Sequence, residues 1–183
     1  MRQASKGLLC VSCCAVHKRR GSSRASISTN QVYQFVNQHI LSLPTQIVTM
    51  SHLTYYNYEG VGKTNNKEYS YSQAVRVGNT IKCSGQGGWD DQGNIDKDDL
   101  KGQIDLAFKN VEKNLKDAGA RGWADVHSVR SYHISLSGSF DLMVEAFRKW
   151  MPDHQPTWTC VGVTELGIPG MIVEIEVEAN IAQ

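Results

Sequence analysis

The stretch Met171-Ile172-Val173-Glu174-Ile175-Glu176-Val177-Glu178-Ala179 alternates apolar residues with carboxylates without a break. Side chains of a strand point alternately to its two faces, so Val173, Ile175, Val177 and Ala179 share one face and the three glutamates share the other. Neighbours on one face stand about 6–7 Å apart. Three like charges at that spacing require either a wet face or a carboxylate held for a purpose. The same pattern predicts a sheet with one face packed and one face open.

The segments before this strand supply the packing. Thr157 to Thr164 reads as another strand, linked to it through Gly167-Ile168-Pro169-Gly170. Upstream, Phe140, Met143, Val144, Phe147, Trp150 and Met151 recur at helical spacing after Ser137-Gly138-Ser139, with Ser139 suited to cap the helix and Pro152 and Pro156 to stop it. Val126 to Leu136 is a long strand. A second helix is predicted from about Asp98 to Ala118, where Leu100, Ile104, Ala107, Phe108, Val111, Leu115 and Ala118 form one apolar stripe. Asp98 or Asp99 suits its start and Gly119 its end. Tyr71 to Val77 and Thr80 to Gln86 are strands joined by the tight turn Gly78-Asn79. Gly85, Gly87 and Gly88 then break the second, and Asp90 to Asn94 is a loop. The order β-β-α-β-α-β-β predicts an α+β mixed sheet with both helices on one face. An uncovered face mixing polar and apolar residues points to self-association.

The 183 residues suffice for one domain and an extension. Residues 1–50 carry six Lys or Arg and no acid; residues 51–183 hold the other 13 of the 19 basic residues and all 18 acidic ones, a net charge of −5. An acidic domain is a poor partner for a polyanion, so no nucleic acid is expected. No run of about 18 apolar residues exists, so no membrane span is expected. The basic, Ser-rich extension resembles a mitochondrial transit peptide; the alternative is upstream sequence with the working start at Met50. These readings imply a mitochondrial or a cytoplasmic location.

Cys10, Cys13 and Cys14, with His17 nearby, leave a four-ligand zinc site incomplete, and no metal is expected. Cys83 and Cys160 read as reduced, half-buried strand residues. His127 and His133 would share one face of the strand from Val126, and a structural role is the commoner one for such histidines.

Three segments together carry a family resemblance: Tyr71-Ser72-Gln73-Ala74-Val75 leading to Ser84-Gly85-Gln86, then Pro156-Thr157-Trp158-Thr159-Cys160-Val161-Gly162-Val163, then Val173-Glu174-Ile175-Glu176. In order and spacing they resemble the YjgF/Rid family, the reactive-intermediate deaminases, over roughly residues 66–182. The resemblance implies a chorismate-mutase-like fold, a homotrimer with small-molecule clefts between subunits, and hydrolysis of enamines and imines such as 2-aminoacrylate without cofactor or metal. It assigns Glu174 to the carboxylate that positions or activates water. Cys160 matches the cleft cysteine, Tyr71 the cleft tyrosine, and Ser84 and Gly85 the ligand-side turn.

One position departs from the family pattern. The deaminases carry arginine two residues before the cysteine, and this chain has Trp158. A guanidinium grips a carboxylate through two parallel charge-assisted bonds, whereas indole offers one N–H and an apolar ring. Trp158 is therefore expected to line the cleft and favour neutral or aromatic ligands. Without a cation, burial and the neighbouring glutamates would favour protonated Glu174, a general acid or hydrogen-bonding anchor. Arg130, on the opposite face of its strand from the histidines, could supply the missing positive charge. The resemblance leaves two functions open, a deaminase-like hydrolase and a non-catalytic small-molecule-binding trimer. A third, the ribonuclease label often given to the family, conflicts with the acidic domain.

Overall fold

The computed structural model describes residues 51–181. Expectations placed on residues 1–50, including Cys10, Cys13, Cys14 and His17, lie outside the described residues. The elements in chain order are β1 (Thr54–Tyr56), α1 (Val61–Tyr69), β2 (Ala74–Val77), β3 (Thr80–Cys83), β4 (Gln86–Gly87), α2 (Leu100–Asp117), β5 (Val126–His133), α3 (Leu136–Trp150), β6 (Thr157–Gly162) and β7 (Val173–Asn180). A short 3-10 turn, Trp123–Asp125, precedes β5. The strands form one mixed sheet in the order β1-β2-β3-β7-β5-β6, with the two-residue β4 also paired to β7.

The opening stretch becomes β7, at the centre of the sheet between β3 and β5. Val173, Ile175, Val177 and Ala179 are buried, and the intervening glutamates are half-buried. Among the described strands only β5 and β6 run parallel, with α3 as the crossover a parallel pair needs. The predicted stripe of α2 lies in the core with Ile81, Cys83 and the β7 apolar face. Asp99 Oδ1 accepts from the Gly102 N–H at 2.8 Å, and Gly119 adopts φ +94° just past the C-terminal end. Phe108 anchors the core, its ring 4.6 Å from that of Trp123.

Three local readings change. Helix α1 and strand β1 lie ahead of the predicted order; α1 reads Val-Gly-Lys-Thr-Asn-Asn-Lys-Glu-Tyr and carries no apolar stripe to announce it. Helix α3 begins at Leu136, so Ser139 is inside it rather than capping it, and its hydroxyl donates to the Ser135 carbonyl. Cys83 is fully buried rather than half-buried, and burial pushes its thiol pKa up to about 12. No helix among the described residues is long and apolar enough to cross a membrane.

Candidate functional site

The sheet separates the three glutamates by their partners. Glu176 faces Lys82 Nζ and Arg130 Nη1, each at 3.4 Å, and accepts from the Tyr132 hydroxyl at 3.2 Å. Glu178 has Lys82 at 3.6 Å. The Glu174 carboxyl has neither an ion pair nor a hydrogen bond among the described residues. Burial, and then the charge of Glu176, raise its carboxyl pKa above the usual range. Arg130 thus reaches Glu176 and leaves Glu174 without a cation.

Gly85 explains how that carboxyl is held. Between β3 and β4 the chain leaves the ladder at Ser84-Gly85, and the Glu174 side chain lies over the gap. A Cβ on Gly85 would stand 2.6 Å from Glu174 Cδ and 2.7 Å from its Cγ, with Oε1 closer still. Only the absence of a side chain admits the carboxyl. A cavity of 310 Å³ opens here, lined by Glu174 and Gly85 with Tyr71, Trp89, Pro169 and Met171. It adjoins a 640 Å³ depression that shares Tyr71 and Gly85 and contains Ser84 and Glu176.

Helix α1 fixes Tyr71. Asn66 Nδ2 donates to the Tyr71 carbonyl at 2.7 Å, and Asn65 Nδ2 donates to its hydroxyl at 3.2 Å. The Ser84 hydroxyl donates to the Ser72 carbonyl at 2.8 Å, so it braces the strand pair. Trp89 is tied down through a buried chain: its Nε1 donates to Tyr58 Oη at 3.3 Å, Tyr58 donates to Gln86 Oε1 at 3.0 Å, and Gln86 Nε2 donates to Gln73 Oε1 at 2.9 Å.

Helix α2 staples the remaining walls with amides. Asn110 Nδ2 donates to the carbonyls of Gly87 and Trp89, both at 2.9 Å. Gln103 Nε2 donates to the Gly170 carbonyl at 2.9 Å while its Oε1 accepts from the Ile172 N–H at 2.9 Å. Asn114 Nδ2 donates to the Gln73 carbonyl at 2.8 Å. Sequence reasoning missed these residues. Their signal is the spacing of Gln103, Asn110 and Asn114, which keeps pace with the apolar stripe beside it.

Within one chain, Trp158 and Cys160 do not join Glu174. Register pairs Trp158 with Val129 and Cys160 with Ser131 on the helix-covered face, whereas Glu174 pairs with Tyr132 on the open one. The Trp158 ring centre is 4.8 Å from that of Phe147 and 5.2 Å from that of Phe140, both on α3. The two histidines do not share a face either. A bulge in β5 between Val126 and Ser128 breaks the alternation, leaving His127 exposed and His133 buried.

Tyr71, Gly85 and Glu174 therefore form one pocket, with Ser84 bracing its rim. Its carboxyl group, with a pKa raised by burial and by Glu176, faces an apolar wall; when protonated it can donate a hydrogen bond or a proton to a neutral ligand.

A family model described as Endoribonuclease L-PSP matches residues 63–181. The RutC family protein YjgH of Escherichia coli K12 is 35% identical over 117 residues, covering 63% of this chain and 86% of that protein. The solved structure of protein YJGH superposes with a TM-score of 0.64 at 30% identity, covering 73% of this chain and 99% of that one. The crystal structure of RidA from the Antarctic bacterium Psychrobacter sp. PAMC 21119 superposes with a TM-score of 0.58 at 31% identity, covering 70% of this chain and 96% of that one.

Proposed function

Because the chain belongs to the Endoribonuclease L-PSP family, the YjgF/Rid group, we propose that it is a deaminase-like hydrolase of a small, neutral or aromatic imine or enamine. Membership supports a deaminase-like or small-molecule-binding role in general. The observation that carries the narrower reading is the isolation of Glu174, the one β7 carboxyl without a cation, seated over Gly85 in an apolar pocket.

In this reading the Glu174 carboxyl protonates the imine nitrogen. Water adds to the carbon as the C=N π pair moves to nitrogen, and the Glu174 carboxylate takes the proton lost by the adding water. The reprotonated Glu174 carboxyl then protonates the carbinolamine nitrogen, and ammonia leaves as the C–N bond breaks and the C=O bond forms, the hydroxyl proton returning to the Glu174 carboxylate, so imine and water give carbonyl and ammonia. Tyr71 and Trp89 supply the apolar walls, and Trp158 lines a cleft completed by a neighbouring subunit of a homotrimer. An arginine in place of Trp158 would favour carboxylate-bearing 2-aminoacrylate; the indole does not.

The full chain, offered 2-aminoacrylate and a panel of neutral and aromatic imines generated in place, tests this by ammonia release. Release from a neutral or aromatic imine, abolished in Glu174→Ala, is expected. A second reading, a binding trimer without chemistry, is favoured by the loss of the carboxylate-gripping residue. Ligand binding with no ammonia across the panel would establish it instead.

A further inference from the structure

Behind Trp158 lies a chain of polar groups with no role in the site described above. Trp158 Nε1 donates to Ser131 Oγ at 2.9 Å, Ser131 Oγ lies 2.7 Å from His133 Nε2, and His133 Nδ1 lies 2.8 Å from Ser139 Oγ. The Ser139 hydroxyl reaches the Ser135 carbonyl at 2.9 Å. Ser131, His133 and Ser139 are each 0% exposed. In a dry setting every donor must find an acceptor, and this requirement fixes where the protons lie.

The ends of the chain set its direction. Indole can only donate, so Ser131 Oγ accepts from Trp158 and must pass its own proton on. Its one acceptor among the described hydrogen bonds is His133 Nε2. The imidazole is then neutral with its proton on Nδ1, which donates to Ser139, and Ser139 donates to a carbonyl that can only accept. The opposite tautomer strands the Ser131 proton and turns the Ser139 hydroxyl away from the carbonyl. Burial also lowers the His133 pKa, in keeping with a neutral ring.

We propose that Ser131, His133 and Ser139 are positioning residues that lock Trp158 with its N–H turned inward, so that the indole shows a ligand only its donor-free ring. This rests on the reading that Trp158 lines the ligand cleft, and it deepens it. The position is then doubly closed to carboxylates, lacking a charge and having its single donor already spent. Phe140 and Phe147 hold the ring from the α3 side, so the hydrogen bond and the aromatic contacts select the same rotamer.

The test uses the full chain labelled with nitrogen-15. Long-range proton–nitrogen spectra read the His133 tautomer without any substitution, and Nδ1–H with bare Nε2 is expected. Among the four indole signals, that of Trp158, identified by Trp158→Phe, should exchange slowly with solvent, and Ser131→Ala should speed that exchange by at least about tenfold. His133→Gln, which keeps an acceptor for Ser131, should retain the protection, and His133→Phe should lose it. An Nε2–H or doubly protonated His133 near neutral pH, or unchanged exchange in a cooperatively folding Ser131→Ala, overturns the proposal. Benzamide and benzoate then serve as a neutral and charged pair of equal shape. Benzamide should bind more tightly to the wild type, with the preference reduced at least about fivefold in Ser131→Ala. Equal binding of the two by the wild type, with the indole still protected, overturns the proposed function and not the chain of bonds.

Discussion

Replacing Gly85 with alanine separates the architecture of the pocket from the stability of the fold. The added Cβ would lie 2.6 Å from Glu174 Cδ. Carbon atoms rest at about 3.5–4.0 Å, so the carboxyl must withdraw by about 1 Å. The three nearest atoms all belong to the far end of the Glu174 side chain, which can swing away without moving the backbone. Gly85 is not among the positive-φ glycines, and a glycine-to-alanine change in a compatible conformation gains about 0.4–1 kcal/mol by restricting the unfolded chain. Stability should therefore stay within about 1 kcal/mol of the wild type. Activity should not, because a 1 Å misplacement of a reacting group costs on the order of 10²-fold. Urea unfolding and ammonia release from the best imine of the panel measure the two sides independently. A Gly85→Ala protein that folds normally and turns over within a factor of about three of the wild type would refute the role given to the Gly85 gap.

Asn110→Ala should destabilise by on the order of 2–4 kcal/mol in urea, because the buried carbonyls of Gly87 and Trp89 lose their shared donor; a loss under about 1 kcal/mol would contradict the stapling role. Burial and Glu176 raise the Glu174 pKa, so the folded state holds that proton more tightly than the unfolded chain, whose glutamates titrate near about 4.3. That contribution is complete below the unfolded value and is lost as pH rises through the folded one. Between about pH 7 and pH 4 the wild type should accordingly gain stability relative to Glu174→Gln, and a flat or opposite difference would show that the carboxyl is not desolvated. Light scattering at micromolar concentration should give the mass of a trimer, and a monomer would remove the intersubunit cleft.

The strand from Val173 was legible because its period of two has no helical reading, and α2 because its stripe, its capping aspartate and its terminal glycine agree. Helix α1 was not, since its residues are nearly all polar, and its Asn65 and Asn66 bond to Tyr71 just beyond its end instead of forming an apolar stripe. The start of α3 was misplaced because serine and glycine usually mark a boundary, whereas here Gly138 sits in the first turn and Ser139 serves His133. A single extra residue in β5 was enough to separate the two histidines, and such a bulge leaves no trace in an alternation pattern. The special position of Glu174 was legible only in part. The family resemblance singled it out, but the reason it stands apart lies in Lys82, Arg130 and Tyr132, which reach Glu176 across neighbouring strands.

The central claim is that Glu174 supplies a proton to a neutral ligand, and a pH–rate profile tests it most directly. With an aromatic imine as substrate, kcat/KM of the wild type should fall as pH rises through the elevated Glu174 pKa, and that limb should be missing in Glu174→Gln, where no carboxyl titrates. Protonation of the substrate itself appears in both profiles and cancels in their ratio. Profiles of identical shape and height in the two proteins would contradict the account.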